Sequence, residues 1–574
     1  INQSTVVKAR AFMTGYIPSA TTTASYLFNV DSSVPIISVV TDNNNLYGGT
    51  GIFDNWWTDW QKPAYVDYFD TSNNLIFSQH TAIQMDGGAG GSRSQPQHSF
   101  RLELSNGTLG DGSINYQVIP DRPDRYKYSN FYLRNGSNQF LTLPYKDAAQ
   151  TKIVCDATND YYSAWRPVNV FINGGYFGLY ELREKFDAEY FKTLEHANPD
   201  STMILSLSYW YGQVLRALQG SVDTFWHDYN SLNALTTNDT AYWTKADRYF
   251  DQTYYTDYII GQDWIGNVDW PFNNIKIYRS NKTNYRWRFA TVDLELALGP
   301  NSWTDCTYDH INYMLGQSTG NPYINIWLKG MQNHRFHDYF INRYADVMNT
   351  ALLPSRTLDI EQDRYDQTVW EMNNEYARWG DPNNIGGQMN SFYSNHMIFR
   401  QQLNDRSNYV RDQIVADFGL PQKVDLTLDV YPAGEGQIHI STIQPDTYPW
   451  QGIYFDGVPV KIEAIAQPGY HFIHWGANPL IADTLNSVWF DTLHTNQTNF
   501  TAYFVQNGVS APTLNTAKEN FSLFPSPATT QLYLMNNNNL KANSIEITDV
   551  NCRIVLSQSF DANHLQNVFN IAQL

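Results

Sequence analysis

The segment Trp264–Gly299 constrains the fold of this chain more than any other. It contains an alternating run, Ile275–Arg279, then a polar stretch, Ser280–Asn284, and then a second alternating run, Arg286–Phe289. Two alternating runs joined by a short polar turn predict a β-hairpin, because successive side chains of a strand point to opposite faces. A hairpin at this point limits where the residues before and after it can lie.

Three polar residues flank this hairpin. Asp269 and Asn274 lie in the Pro-containing loop before it, and Asp293 follows its second strand. Phosphoryl transfer in protein kinases uses this order: the first Asp takes the proton of the hydroxyl that is phosphorylated, and the Asn and the last Asp hold magnesium against the phosphates. Asp and Asn are also ordinary turn residues, so the alternative is a plain loop. The rest of the chain decides between the two.

The charge balance of the 574 residues limits the classes of partner. The chain has 37 Lys and Arg against 56 Asp and Glu, a formal net charge of −19. This balance argues against nucleic acid and against anionic membranes as partners, because both need a basic footprint. No run approaches the ~20 apolar residues that span a bilayer, so we expect no membrane span.

Aromatic residues are abundant and charged residues are few, with 40 Tyr, 30 Phe and 17 Trp against 16% charged residues. That mixture is typical of secreted bacterial proteins. The cysteines Cys155, Cys306 and Cys552 are far apart and lack zinc-ligand spacing, so one disulfide is possible but not required. The chain begins at Ile1 without Met and without a signal peptide, as a processed protein would.

The first part of the chain, up to about residue 190, predicts mostly strands after an extended lead-in of residues 1–32. The clearest signal is a hairpin at residues 168–182, whose two runs meet at Asn173-Gly174. From about residue 222 to 420 the apolar spacing becomes helical and stops at Gly419-Leu-Pro421. The other predicted strands are 35–40, 64–69, 99–104 and 131–135, and the predicted helices are 244–262, 322–349, 356–377 and 391–418.

A glycine-rich stretch lies between two of the predicted strands. Gly87, Gly88, Gly90 and Gly91 precede Arg93, and no Gly-Lys-Ser/Thr follows, so the stretch is not a Walker A motif. Backbone amides of such a loop can lie over phosphates, as the Gly-rich loop of kinases does. Glycine content alone favours the alternative of a plain surface loop.

The last 150 residues turn β-rich again. Residues 424–506 carry short alternating runs typical of a small all-β module. Residues 507–518 predict a linker, and residues 519–574 a second β module with Phe524-Pro-Ser-Pro527 at its start. We therefore expect two modules after the helical part.

Several motifs carry a resemblance to a known family. GGAGGSR with PQHSFRL, FYLRNG at 131–136, RPVNVFINGGYFGLYELREK at 166–185, NVDWPFNNIKIYR and VDLELALG occur in an order that resembles the CotH kinase family, the spore-coat-H-like atypical kinases. Residues 424–506 are similar to an extracellular β-repeat with a GEG…PGYxFxxW pattern. Residues 519–574 resemble the C-terminal sorting domain of the type IX secretion system in Bacteroidetes-like bacteria. The usual closing Gly-x-Tyr strand is missing, which predicts a truncated tail.

The resemblance implies an α+β fold class. The kinase-like domain would span residues 33–420 as a two-lobed atypical protein-kinase-like core, with the β-rich lobe first and the helical lobe second. It also implies a secreted or cell-surface enzyme that moves the γ-phosphate of ATP to Ser or Thr of an extracellular protein. The implied cofactors are ATP and Mg or Mn, and the type IX secretion machinery is an implied partner. The acceptor protein cannot be named from sequence.

The resemblance also implies roles for particular residues, position by position. Asp269 would be the catalytic base, and Asn274 and Asp293 would be metal ligands with Glu295 as a further carboxylate. The glycines named above and Arg93 would cover the phosphates. Polar positions at the nucleotide cleft would be His98, Arg101, Arg134 and Glu184.

The chain departs from the family pattern at two of these positions. His98 stands where the family usually has Lys, and Glu295 where it usually has Asp. A neutral His holds phosphate less well than a permanent cation, so nucleotide affinity would be weaker unless Arg101 or Lys185 substitutes. A nucleotide-binding protein with little turnover therefore stays open.

Two other classes of function also stay open. The first is a non-catalytic adhesin or glycan binder on a kinase-like scaffold, because Trp56, Trp57 and Trp60 form an aromatic cluster that can stack on sugars, although core packing is the commoner use. The second is a metal-dependent or glycoside hydrolase. The chain has no HExxH motif, and carboxylate pairs for glycoside hydrolysis are not local in sequence.

Overall fold

The computed structural model describes residues 3–88, 90–494, 497–507, 521–524, 529–536, 544–548, 554–560 and 566–573. They form two compact units. The first comprises the chain up to Ala466 together with Phe472–Phe504, and the second comprises Gln467–His471 together with the chain from Val505 onward.

Buried strands dominate the N-terminal part of the first unit. The strands up to residue 219 are β1 (Thr5–Ala9), β2 (Thr22–Tyr26), β3 (Ile36–Val40), β4 (Gln61–Phe69), β5 (Leu75–Met85), β6 (Phe100–Glu103), β7 (Ile114–Asn115), β8 (Lys127–Tyr128), β9 (Asn130–Arg134), β10 (Tyr161–Tyr162), β11 (Trp165–Ile172), β12 (Gly175–Arg183), β13 (Met203–Leu207) and β14 (Arg216–Gln219). Seven of them close into a barrel in the order β11, β12, β9, β6, β5, β4, β3, and β3 pairs in parallel with β11. The lead-in contains the antiparallel hairpin of β1 and β2.

The predicted hairpin at Asn173-Gly174 is confirmed. Ile172 pairs with Gly175 across the turn, and the two turn residues have φ of +51° and +84°. Both values lie in the left-handed region that the tightest hairpin turn requires and that Asn and Gly tolerate best.

A second sheet contains the hairpin predicted in Trp264–Gly299. Its strands β15 (Ile275–Arg279) and β16 (Arg288–Thr291) lie in the order β10, β16, β15, β13, β14. The second strand begins two residues later than predicted because Arg286 turns away to bind Asp247 and Asp251. The loop before β15 and the loop after β16 therefore emerge at the same edge of this sheet.

The helices of the first unit follow mainly from residue 222 onward, as predicted. They are α1 (Asn43–Leu46), α2 (Lys146–Thr158), α3 (Ala188–Glu195), α4 (Val222–Asn233), α5 (Tyr242–Ala246), α6 (Gln252–Ile265), α7 (His310–Leu315), α8 (Pro322–Gly330), α9 (His334–Met348), α10 (Pro354–Thr368), α11 (Met372–Trp379) and α12 (Ile385–Asp417). Of these described helices, none combines the length and the apolar character of a bilayer span.

Two of the predicted helices are divided by capping residues. The range 244–262 breaks where the Asp251 side chain accepts a hydrogen bond from the Tyr254 amide and starts α6. The range 322–349 breaks where Asn333 does the same for Phe336 and starts α9. A capping side chain replaces a helical backbone partner, so it marks a start even inside a continuous helical pattern.

Helix α2 lies in the part of the chain predicted to be mostly strands. It is almost completely buried, and its buried residues include Lys146, Asp147, Gln150 and Thr151. A helix that buries polar side chains on every face shows no amphipathic period, so the pattern that predicts surface helices misses it.

The predicted β-rich segment after α12 is confirmed. Its strands are β17 (Lys423–Tyr431), β18 (Gly436–Ile440), β19 (Trp450–Phe455), β20 (Pro459–Ala466), β21 (Tyr470–Trp475), β22 (Val488–Thr492) and β23 (Gln497–Gln506). They form one sheet in the order β19, β17, β23, β21 and another in the order β18, β20, β22. Asp346 of α9 accepts hydrogen bonds from Thr442 and Tyr454, which fastens this segment to the helices.

The second unit is described in part. Its strands are β24 (Phe521–Phe524), β25 (Gln531–Asn536), β26 (Ser544–Thr548), β27 (Ile554–Ser559) and β28 (Gln566–Asn570). Strands β24, β25 and β28 form one antiparallel sheet, and β26 pairs with β27. Apart from Asn507, the predicted linker lies outside the described residues, as do Pro525, Pro527 and Cys552. Cys155 and Cys306 are free and buried.

Candidate functional site

A cavity of about 1080 Å³ opens in the first unit. Its walls come from the end of the barrel, from the second sheet and from the loops around the hairpin of β15 and β16. Most of the predicted site residues line it: Gly87, Gly88, Gly90, Gly91, Arg101, Arg134, Glu184, Asp269, Asn274 and Asp293. Residues 200 positions apart in sequence therefore meet at one cavity.

The two predicted aspartates and the asparagine form one hydrogen-bonded group. The side-chain amide nitrogen of Asn274, Nδ2, donates to Asp269 Oδ2 at 3.0 Å and to Asp293 Oδ2 at 2.9 Å. Asn273 also donates to Asp269 Oδ2, at 2.8 Å. The carboxylates at 269 and 293 therefore face the same nitrogen, at the edge of the sheet where both loops emerge.

The backbone of this group is held in an uncommon conformation. Asn274 has φ of +52° and Asp293 has φ of +58°. Residues other than glycine adopt this left-handed region rarely, and such residues concentrate at functional sites where the surroundings hold them in place.

Arg134 links this group to a buried layer of carboxylates. Its guanidinium donates to Asp293 Oδ1 at 2.6 Å, pairs closely with Glu295, and lies 3.1 Å from Asp147 of α2. The Glu295 side chain is 3% exposed and also accepts from the Asn138 side chain. Glu295 lies behind the cavity wall, so a metal-ligand role for it remains a prediction that requires its pairing with Arg134 to open.

The carboxylates of this site outnumber the cations that contact them. Burial, and secondarily the charge of Asp293, raises the pKa of Asp269 to about 6, although hydrogen bonds from Asn273 oppose the shift. Withdrawal from bulk water and then the charge of Glu295 raise the pKa of Asp293, whose side chain remains 39% exposed to the cavity. An added cation would relieve this excess negative charge.

Helix α2 holds the loop that follows Asp293 in place. Lys146 is fully buried and donates from Nζ to the carbonyl oxygens of Glu295 and Pro300, at 3.0 and 3.1 Å, and also to the Ser302 hydroxyl. Burial lowers the pKa of Lys146 to about 7. The position of Asp293 is therefore set by the packing of a buried helix.

The glycine-rich stretch forms part of the cavity rim. Gly87 has φ of +87°, and a Cβ there would lie 2.2 Å from the Ser92 Cβ. A Cβ on Gly91 would lie 2.7 Å from the Asn138 amide nitrogen. Glycine is required at both positions because the backbone turns and packs too closely for a side chain.

Arg93 holds this stretch in place. It donates from Nε to the Gly87 carbonyl at 2.8 Å and pairs with Asp59 at 2.7 Å, and its side chain is only 2% exposed. Its guanidinium also stacks on Trp210, 4.8 Å from the ring centre. The Arg93 guanidinium is thus already bound by protein groups. Its predicted contact with phosphates stays a prediction.

His98 is not at the cavity wall. Its ring packs against Phe53 with 5.0 Å between ring centres, and Nδ1 donates to the Arg93 carbonyl at 2.5 Å. Burial lowers its pKa. The structure therefore places His98 beside Arg93 and does not bring it to the predicted residues that line the cavity.

Glu184 and Arg101 line the cavity but already have strong partners. The Glu184 carboxylate is fully buried, accepts from Arg122 at 3.0 Å and from the Ala164 amide at 3.0 Å, and pairs closely with Arg125. Arg101 pairs with Glu103 at 2.8 Å. Their side chains shape the wall and hold the barrel end together.

The predicted aromatic cluster lies beside the cavity. Trp56 and Trp57 pack edge to face at 5.8 Å, and Trp56 lies 6.4 Å from Trp210, which lines the cavity. Trp57 and Trp60 are 56% and 42% exposed. Trp56 thus packs against other aromatic rings, whereas Trp57 and Trp60 are largely exposed. A sugar-stacking role for the cluster stays a prediction.

The donor set suits a hard divalent cation only in part. Asp269, Asp293 and Asn274 offer the oxygen donors that magnesium prefers, together with the excess negative charge noted above. Among the described residues, however, no three His, Cys, Asp or Glu side chains are arranged to hold a metal ion. Magnesium usually keeps several waters and substrate oxygens as ligands, so an incomplete protein shell fits it.

Sequence reasoning missed several residues of this cavity. Asp147 belongs to the unpredicted helix α2 and accepts from Arg183 at 2.5 Å. Lys276, Ser206 and Arg216 lie on strands where they count only as the polar half of an alternating pattern. A signal for Lys276 is its place two residues after Asn274, on the strand that the predicted loop enters.

Two family models match this chain. A family model described as CotH kinase protein matches residues 83–414, more than half of the chain. The chain belongs to the CotH kinase family. A model described as secretion system C-terminal sorting domain matches residues 522–574 of this CotH kinase family member. No curated protein is significantly similar to it.

The two matches confirm the predicted CotH and sorting-domain families. Because the C-terminal domain is a type IX sorting domain, this CotH family protein is secreted or held at the cell surface, and the type IX secretion machinery is a partner. The similarity of residues 424–506 to an extracellular β-repeat stays a prediction.

Proposed function

We propose that this CotH family protein is a secreted, two-lobed, kinase-like phosphotransferase. It moves the γ-phosphate of ATP to Ser or Thr of an extracellular or surface protein and depends on Mg or Mn. One observation carries the proposal: the side-chain amide nitrogen of Asn274 holds Asp269 and Asp293 together at the wall of a 1080 Å³ cavity. A base beside metal-binding oxygens is what phosphoryl transfer needs.

Asp269 is the proposed general base. With a pKa of about 6, its carboxylate is mostly ionised at neutral pH and still basic enough to accept a proton. General bases work best when their pKa lies near the working pH. Asn273 and Asn274 donate to its Oδ2, which orients the carboxylate and leaves Oδ1 for the acceptor hydroxyl.

The acceptor oxygen forms a bond to the γ-phosphorus while the bond from that phosphorus to the bridging oxygen breaks, so ADP leaves. The proton of the acceptor hydroxyl passes to Asp269. Asn274 and Asp293 would hold the divalent cation, which when bound neutralises phosphate charge. Arg134 keeps Asp293 oriented through its 2.6 Å contact.

Transfer of labelled phosphate from γ-labelled ATP tests this function. The full chain is incubated with Mg or Mn and an extract of surface proteins, and label on Ser or Thr is measured. We expect Asp269→Asn to lower transfer by roughly 10²–10⁴-fold, the usual contribution of a general base. The matched control is Asp359→Asn, an exposed carboxylate on α10, which should transfer at the wild-type rate.

Equal transfer by wild type and Asp269→Asn would remove Asp269 from its role. ATP binding without transfer in any condition would favour a nucleotide-binding protein with little turnover. Glycan binding that Asp293→Ala leaves unchanged, with no nucleotide binding by calorimetry, would favour an adhesin.

A further inference from the structure

Two cations and a serine lie in one row across the second sheet. Ser206 of β13 pairs with Lys276 of β15 on one side and with Arg216 of β14 on the other. Directly paired residues of neighbouring strands project from the same face, and all three line the cavity. The sheet thus presents two positive groups to the cavity with a hydroxyl between them.

Lys276 has no carboxylate partner. Its Nζ donates to the Ser206 hydroxyl at 2.8 Å, and within the described part of the chain no Asp or Glu oxygen lies within salt-bridge distance of it. Burial disfavours its charged form, and the charge of Asp86, at the same cavity, opposes this from beyond that distance. This is notable in a chain with 19 more acidic than basic side chains. Other cations of the same cavity, such as Arg101 and Arg134, are paired.

Arg216 also has no anionic partner among the residues that the structure describes. Its guanidinium stacks on the Tyr211 ring, 3.5 Å from the ring centre. Its Nε is buried and makes no hydrogen bond to any described residue. A buried donor left without a partner is unfavourable, and placing two like charges in one row adds repulsion. A bound anion would satisfy both defects at once.

The cavity is therefore polarised. The loops around the hairpin of β15 and β16 bring Asp269 and Asp293 to it, and the row of Lys276, Ser206 and Arg216 brings two unpaired cations. A divalent cation suits the first part, and a doubly charged anion with several oxygens suits the second. Both parts meet through β15, since Asn274 and Lys276 are two residues apart.

We infer that Lys276, Ser206 and Arg216 form an anion subsite that takes a phosphate group of the nucleotide. Lys276 supplies a point charge, Ser206 a hydroxyl donor and Arg216 a planar donor edge, a combination suited to phosphate oxygens. This inference rests on the proposed function for the identity of the ligand, but the subsite itself rests only on the unpaired row.

Calorimetry with inorganic tripolyphosphate tests the subsite without a nucleoside. The full chain is titrated in low salt with EDTA, so that no metal contributes. We expect wild type to bind tripolyphosphate, Lys276→Gln to bind at least tenfold more weakly, and Lys276→Arg to retain most of the affinity. Arg216→Gln should weaken binding about threefold or more.

Lys282→Gln is the matched control. Lys282 is an exposed lysine at the tip of the same hairpin, so its removal changes net charge equally without touching the row. Its affinity for tripolyphosphate should stay within twofold of wild type. Thermal melts accompany each variant, and Lys276→Gln should melt no lower than wild type, because it removes an unpaired charge. Equal binding by wild type and a folded Lys276→Gln would overturn the subsite.

Three more ligands identify the source of the phosphate. ATP should lose at least tenfold in affinity on Lys276→Gln, whereas adenosine should lose none. If instead a phosphoserine peptide loses affinity and ATP does not, the nucleotide assignment is wrong. If wild type transfers no phosphate but tripolyphosphate binding still depends on Lys276, the proposed function fails and the subsite stands. If transfer occurs and Lys276→Gln keeps the wild-type KM for ATP, the subsite fails alone.

Discussion

Glu184 and Asp269 both line the same cavity, yet their surroundings are opposite. Glu184 contacts two arginines and a backbone amide, and its side chain is fully buried. Asp269 receives only side-chain amides from Asn273 and Asn274, and its pKa rises to about 6. One carboxylate is neutralised by cations, whereas no cation among the described residues contacts the other.

This difference separates structural from reactive carboxylates. A carboxylate that holds two arginines is satisfied by the fold and has nothing left to offer a ligand. A carboxylate whose charge the fold leaves uncompensated gains from a proton or a cation, and such groups concentrate at functional sites. The same contrast separates the paired Arg101 from the unpaired Lys276.

Glu184→Gln should have the largest effect on stability, and it tests whether Glu184 is a structural carboxylate. The substitution leaves Arg122 and Arg125 with an amide in place of a carboxylate in a buried position. Breaking a buried pair from one side costs about 3–5 kcal/mol, so urea unfolding should show a loss of that size. The control Glu189→Gln removes a surface partner of Lys127 and Lys192 and should change stability by about 0–1 kcal/mol. Equal losses would remove the distinction.

Asp269→Asn should change the free energy of unfolding in the opposite direction. In the metal-free protein near pH 7.5 the ionised Asp269 is disfavoured by burial, and Asn keeps the shape without the charge. Because solvent screens the charge of this partly exposed side chain, we expect a gain of only roughly 1 kcal/mol in the free energy of unfolding. Urea unfolding in EDTA measures it. A loss of stability would mean that the carboxylate is better compensated than its contacts indicate.

The gain should depend on pH in a defined direction. The folded-state pKa of Asp269 is raised from 3.8 to about 6, so the folded protein holds a proton that the unfolded chain has released. The contribution of Asp269 to wild-type stability therefore falls as pH rises from about 4 to about 6, and the difference from Asp269→Asn should grow over that window and then level off. A difference that is constant between pH 4 and pH 7.5 would contradict the assignment.

The smallest expected effect is stabilisation by a divalent cation. Magnesium or manganese binding to the folded state alone, at three times its Kd, would add about 0.8 kcal/mol. Thermal melts with and without the ion should show a shift that is larger at pH 7.5 than at pH 5, because Asp269 and Asp293 must be ionised to bind it. Asp293→Asn should abolish the shift, and Asp359→Asn should keep it.

Local patterns in the sequence predicted local structure well. The Asn173-Gly174 hairpin, the hairpin of β15 and β16 and the long helix α12 all follow from spacing and turn residues. The grouping of Asp269, Asn274 and Asp293 also follows, because a hairpin returns the chain to the edge from which it left. These are short-range consequences of chain geometry.

The parts that sequence did not predict depend on distant partners. Helix α2 has no amphipathic period, since its polar residues are buried against the loop after Asp293. The positions of Arg93 and His98 depend on Asp59 and Phe53, about 35 to 45 residues away in sequence. The charge compensation of each cavity residue depends on which partners the fold brings close, and no local pattern encodes it.

The left-handed backbone at Asn274 and Asp293 has a consequence for ligand capture. Both side chains are oriented by the folded chain itself, through the Asn274 bridge, Arg134 and the Lys146 contacts below the loop. The entropy of ordering them is lost once, when the protein folds, and not again at each encounter with a ligand. A protein that meets dilute ligands outside the cell benefits from a receptor that is already rigid on arrival.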